Sequence, residues 1–130
     1  MQLRLLIADD NEIVRVGVRS LLRDKHDWEI CQDAANGREA IDGVYELSPD
    51  VVILDLSMPV MNGFEAAKEI RRIAPSIKII LYSVHDVPST ASEVGADAFV
   101  LKSKSAQELI ATIERVTGPS GGNRARSASA

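Results

Sequence analysis

Three aspartates, a serine and a lysine stand out by where they fall. Asp9 and Asp10 follow the apolar run Leu3 to Ala8, Asp55 follows Val51 to Leu54, Ser83 follows Lys78 to Tyr82, and Lys102 follows Ala98 to Leu101. If these runs are parallel strands of one open sheet, their C-terminal ends share an edge, and such sheets bind ligands on that edge, where the strand order reverses. Residues distant in sequence then meet as three carboxylates, one hydroxyl and one ammonium. Carboxylates a few ångströms apart repel by several kcal/mol at intermediate dielectric, so three together need a cation. Magnesium suits a site with few protein oxygens and free positions for water and phosphate, whereas calcium takes more carboxylate and carbonyl ligands. Lys102 adds a second positive charge and Ser83 a hydroxyl donor. These are the groups a transferred phosphoryl group needs around its oxygens, where positioning and charge neutralisation dominate catalysis. Taken singly each has a plainer explanation: paired aspartates after a strand cap a helix, and a lone lysine or loop serine is solvated.

The elements that must position these residues follow from periodicity. Leu3 to Ala8 reads as a strand, and Glu12 to Arg23 as a helix burying Ile13, Val16, Gly17 and Leu21, with Val14, Val18 and Leu22 alongside. Trp28 to Asp33 alternates as a second strand. Asn36 caps a helix that starts at Gly37, runs to Leu47 and buries Ala40, Ile41, Val44 and Tyr45. Ser48-Pro49 breaks it, and Val51 to Leu54 is a continuous β-branched and apolar run, the mark of a strand covered on both faces. A helix over Phe64 to Ala74, a strand over Lys78 to Tyr82, a strand over Ala98 to Leu101 and a helix over Ala106 to Val116, capped by Ser105, complete the alternation. Strand and helix alternate five times, which predicts an α/β domain with a doubly wound parallel sheet, since each return to a parallel strand needs a crossover.

The chain has 130 residues, 45% of them hydrophobic, enough for one domain with a real core. The domain is expected over residues 1–117. Gly118-Pro119-Ser120-Gly121-Gly122-Asn123 and the Arg, Ser and Ala residues after it cannot bury a core, so 118–130 reads as a flexible linker or tail. The formal net charge is -4 although the tail carries Arg124 and Arg126, so the body is acidic and no nucleic-acid surface is expected. No signal sequence or membrane-length apolar run is present, which predicts a soluble, cytoplasmic chain. Cys31, the single cysteine, sits in the second strand as a half-buried thiol, with no disulfide or zinc site available.

The pattern of Asp9-Asp10, Asp55 with Met58-Pro59 and Asn62-Gly63 behind it, Ser83, and Gly95-Ala96-Asp97 leading to Phe99 and Lys102 resembles response-regulator receiver domains of two-component signalling. The resemblance covers residues 3–117. It implies the flavodoxin-like strand order 2-1-3-4-5, an order given for a receiver as a worked example of the doubly wound class. It further implies Asp55 as phosphoryl acceptor, Asp10 and Asp55 as Mg2+ ligands with the Ser57 carbonyl, and Asp9 as a helper through water. Ser83 is expected to move onto the phosphoryl group, Lys102 to pair with its oxygens, and Phe99 to swing inward behind Ser83. The implied partner is a sensor histidine kinase or phosphotransfer protein. On this reading the domain promotes its own phosphorylation and dephosphorylation but is first of all a switch, biased by the added charge.

Two features depart from that pattern. The stretch from Ser83 to Lys102 is about one helical turn short, and Pro88 falls where the fourth helix begins, which predicts a short, displaced or irregular helix there. Val84 is bulkier than the small residue often found beside the serine. The wording around Arg15 to Leu22, Ser83-Val84 and Gly95 to Lys102 is most similar to receivers joined to a helix-turn-helix DNA-binding domain. With the linker-like tail, this favours a receiver cut from a longer regulator, and a homodimer is among its expected assemblies. His26 is given no catalytic role, and His85 reads as a solvent-facing loop residue near the position where phosphoryl lifetime is tuned. A pseudo-receiver, which keeps the fold and signals by contact without phosphorylation, is the main alternative. A metabolic phosphatase would carry a second aspartate where Ser57 stands, and a flavin carrier a Ser/Thr/Gly-rich loop after the first strand.

Overall fold

The computed structural model describes residues 2–24, 27–84, 88–103 and 106–118, with the backbone alone for residues 88–90 and 106. His26, His85, the Ser105 cap and the tail from residue 119 onward lie outside the described residues. In chain order the elements are β1 Leu3–Ala8, α1 Glu12–Leu22, β2 Trp28–Ala34, α2 Gly37–Leu47, β3 Val51–Leu54, α3 Gly63–Ile73, β4 Lys78–Ser83, α4 Pro88–Glu93, β5 Ala98–Leu101 and α5 Ala106–Thr117.

All strand pairs are parallel, in the order β2-β1-β3-β4-β5. The order reverses between β1 and β3, so Asp9, Asp10 and Asp55 flank the switch point. Pleating divides each strand between two cores. Leu6, Ala8, Val52, Leu54, Ile79 and Leu81 pack under α2, α3 and α4, while Leu5, Ile7, Val51, Ile53, Ile80 and Val100 pack under α1 and α5. β3 is buried at every residue, as its unbroken apolar run requires. α4 is a six-residue helix, and the expected shortening is found there; Pro88 fits the first helical position, where no amide partner is needed.

Two expected helix faces are corrected. In α1 the sheet takes Val14, Val18, Leu21 and Leu22, spaced at i, i+4, i+7 and i+8, while Ile13, Val16 and Gly17 are exposed. Both stripes are apolar in sequence, and only the docking angle of the helix chooses between them. Tyr45 of α2 is likewise exposed, because Ala40, Ile41 and Val44 fill that face. On the edge strand β2, Leu5 pairs with Ile30 and Leu6 with Gln32, which leaves Cys31 as the extra residue of a bulge. Burial pushes its thiol above the usual range, against the pull of Arg4, which disfavours the reactive thiolate.

Candidate active site at the carboxyl edge of the sheet

The backbone ladder extends past the strands to hold the site residues. The Asp9 amide donates to the Ala34 carbonyl at 2.9 Å, the Asp55 amide to Ala8 at 2.9 Å, and the Lys102 amide to Ser83 at 2.7 Å. Asp9, Asp55 and Lys102 are thus each the first residue beyond a rigid strand. Behind Asp55, α3 begins with a capping box between Asn62 and Glu65, and the Gly63 amide bonds to the Leu56 carbonyl at 3.0 Å. A Cβ on Gly63 would lie 2.2 Å from the Asp55 carbonyl oxygen, so only glycine lets the helix start this close to the acid.

Carboxylate oxygens of Asp9, Asp10 and Asp55 lie within 4.8 Å of one another. Asp9 and Asp55 are buried and Asp10 is exposed. The Lys102 ammonium donates to Asp9 Oδ2 at 2.6 Å and to Asp55 Oδ1 at 3.1 Å. Burial works against that ammonium, but the bonds to Asp9 and Asp55 outweigh it and hold Lys102 above its ordinary range. Asp55 is shifted the other way: burial, then the Asp9 charge, raise it above the ordinary carboxylate range despite Lys102. One ammonium does not neutralise three carboxylates, and the surplus is what a hard divalent cation would relieve. The donor set is all oxygen and one edge is open, so the residues present fit magnesium.

The remaining predicted residues surround this cluster. Ser57 is exposed in the β3–α3 loop and, with Asp10, Met58, Pro59 and Asn62, lines an open cleft of about 660 Å³. Ser83 closes β4 and is buried. Phe99 pairs with Leu81, is half-buried, and packs against the core that includes Ala91 and Val94 of the α4 region.

Sequence reasoning missed two neighbours. Arg15 of α1 donates through a terminal amine to the Asp9 carbonyl, and its Nε lies 3.7 Å from Asp33 of β2. Asp9 also accepts from the Asn11 amide at 2.9 Å, so this acid is fixed from four directions. Tyr82 presents its ring to Lys102, with the ammonium 5.7 Å from the centroid. Alternation in β4 separated Tyr82 from Ser83, but nothing in the sequence measured its approach to Lys102.

The parallel sheet and its acidic carboxyl edge define a doubly wound domain of the phosphoryl-signalling class. The chain belongs to the response regulator receiver domain family, matched over residues 5–114. It is a receiver domain of the two-component type, and a pseudo-receiver reading finds no support. It is 33% identical over 120 residues to the response regulator protein VraR of Staphylococcus aureus, an alignment covering 90% of this chain and 57% of that protein. The chain therefore spans a little over half the length of that relative. Among solved structures, a LuxR-family DNA-binding response regulator from Staphylococcus aureus superposes with TM-score 0.82 and 38% identity, covering 88% of this chain and 98% of that one. A LuxR-family two-component response regulator from an Aurantimonas species gives TM-score 0.84 and 32% identity, covering 89% and 85%. Receivers of this family bind Mg2+ at such an acidic pocket. No helix among the described residues is long and apolar enough to cross a membrane.

Proposed function

We propose that Asp55 accepts the phosphoryl group in this receiver. The observation that carries the assignment is its position: a buried carboxylate at the switch point, bonded to Lys102 and within 4.8 Å of two more acids. An Asp55 oxygen attacks phosphorus and forms the acyl phosphate, while the bond from phosphorus to the donor's nitrogen or oxygen breaks and its electron pair leaves with the donor. Later, water attacks the same phosphorus, restores the carboxylate and releases inorganic phosphate. Asp10, Asp55 and the Ser57 carbonyl would hold Mg2+, with Asp9 acting through water. When bound, the metal supplies charge neutralisation to the phosphoryl oxygens. Lys102 stays beside the cluster and turns one of its donors to a phosphoryl oxygen, and Ser83 donates its hydroxyl.

Three exposed apolar side chains stand on loops or first turns around this edge: Ile13, Val60 and Val84. Such a rim supports a macromolecular donor, a sensor histidine kinase or phosphotransfer protein, over free small phosphates alone. Ser83 and Phe99, on the α4 side of the sheet, are the proposed switch pair that carries the state to the α4–β5–α5 surface. Residues 1–117 form the proposed receiver unit and 118–130 the linker. We further propose a helix-turn-helix DNA-binding output, a homodimer and a cytoplasmic location; the likeness to LuxR-family regulators, one of them described as DNA-binding, supports the first of these.

The test is intact mass after incubation with acetyl phosphate and Mg2+. One adduct labile to hydroxylamine is expected, absent from Asp55→Asn. An adduct that survives in that variant places the phosphate elsewhere.

A further inference from the structure

Lysine carries a compact charge on a flexible four-carbon stem, so two hydrogen bonds to carboxylates do not by themselves fix it. Both of those bonds would also weaken as a bound metal drew on the carboxylates. A contact that survives this change has to come from a group that does not bind metal, and Tyr82 is the one the strand pairing provides. Tyr82 pairs with Val100, and Lys102 lies two residues further along the chain, so pleating sends Lys102 toward the Tyr82 face of the sheet. Leu81 and Ser83 face the other side. The half-buried Tyr82 ring packs against the core beneath α1 and α5, and the Lys102 ammonium lies over it at 5.7 Å from the centroid, within cation–π range.

We propose that Tyr82 is a positioning residue for phosphoryl transfer: its aromatic face keeps the Lys102 ammonium at the carboxylate cluster through metal binding and the approach of the phosphoryl group. The inference rests on the role given to Lys102 above. It requires the ring and not the hydroxyl, which separates it from a hydrogen-bonding or merely space-filling role.

Rates of acetyl phosphate-driven phosphorylation at saturating Mg2+ decide it, measured on folded protein below its melting transition. Tyr82→Leu and Tyr82→Met, which keep apolar bulk but lose the π-face, are expected to slow the reaction by about 3- to 30-fold, the range of cation–π contributions. Tyr82→Phe is expected to restore the rate to within about twofold of wild type. Lys102→Met should be slow, and adding Tyr82→Leu to it should change nothing further. If Lys102→Met reacts normally, the role of Lys102 falls. If Lys102→Met is slow while Tyr82→Leu and Tyr82→Met match wild type, or if Tyr82→Phe is as slow as they are, the Tyr82 inference alone is overturned. Wild-type protein gives a second test that needs no variant. The Lys102 methylene protons should show upfield ring-current shifts that persist with Mg2+, and ordinary random-coil shifts would refute the contact.

Discussion

Two clusters of charge sit at opposite edges of the same sheet. At the amino edge, Arg71 of α3 donates to the carbonyls of Gly95 at 3.0 and 2.8 Å, Pro75 at 2.7 Å and Ile77 at 2.9 Å, and to Asp97 Oδ2 at 2.6 Å. Asp97 in turn accepts the Ile79 amide at 2.8 Å. One cation meets one carboxylate, and every guanidinium nitrogen has a partner. At the carboxyl edge three carboxylates cluster and one lysine pairs with two of them, Asp9 and Asp55. The balanced cluster ties the end of α3 to the starts of β4 and β5. The unbalanced one carries the repulsion of its own acids, which the proposed metal and phosphoryl group would relieve. Charge satisfied within the fold gives stability; charge left unsatisfied gives affinity.

The comparison breaks most visibly through Lys102. Lys102→Ala is expected to slow phosphorylation by roughly a hundredfold or more, as removal of a charge-stabilising donor does, and also to lower the metal-free thermal midpoint, because the buried Asp9 and Asp55 carboxylates lose their cation. Stopped-flow or mass-based rates beside a melting curve test both halves. A large loss of stability with an unchanged rate would move Lys102 into the structural class.

Arg71→Met should cost stability and spare the chemistry. It strands the Asp97 carboxylate and three carbonyls, so a loss of about 2–3 kcal/mol in urea unfolding is expected, with phosphorylation of the folded fraction within about twofold of wild type. Arg71→Lys should recover little, because an ammonium cannot reach four acceptors from one fork.

Asp55→Asn sharpens the contrast through pH. Burial and Asp9 raise the Asp55 pKa, so the folded metal-free protein holds that proton more tightly than the unfolded chain. Its stabilising contribution is present below the ordinary carboxylate value and is lost as pH rises through the folded value. At neutral pH, without metal, Asp55→Asn should therefore gain about 1 kcal/mol, a usual yield from relieving a functional site, and the gain should vanish toward acid pH. Added Mg2+ should erase it by stabilising the wild type alone. A variant no more stable than wild type at neutral pH would show that Lys102 already compensates the cluster.

The smallest effect is expected at Val60, a β-branched residue on the rim held at φ 68°. That conformation suits glycine, so Val60→Gly should raise stability by about 0.5 kcal/mol after the unfolded-state entropy of glycine is set against the relieved strain. Transfer from a kinase should slow while acetyl phosphate still reacts, if the rim docks the donor.

Much of this molecule was written in short-range pattern. Four apolar runs and one alternating segment, their alternation with helices, and acids placed immediately after β1 and β3 determined a parallel sheet with a charged edge. Strand order came from likeness to a family, since periodicity says how a strand faces its core but not which strand lies beside it. The correct stripe of α1, the exposure of Ile13, Val16 and Tyr45, and the Cys31 bulge were decided by tertiary packing, where near-equal apolar faces compete and the docking angle chooses. The same holds around the site. Asp9, Asp55 and Lys102 were visible because each directly follows a strand, whereas Arg15, Tyr82 and Arg71 act across elements, and the distances that make them matter exist only once the chain has folded.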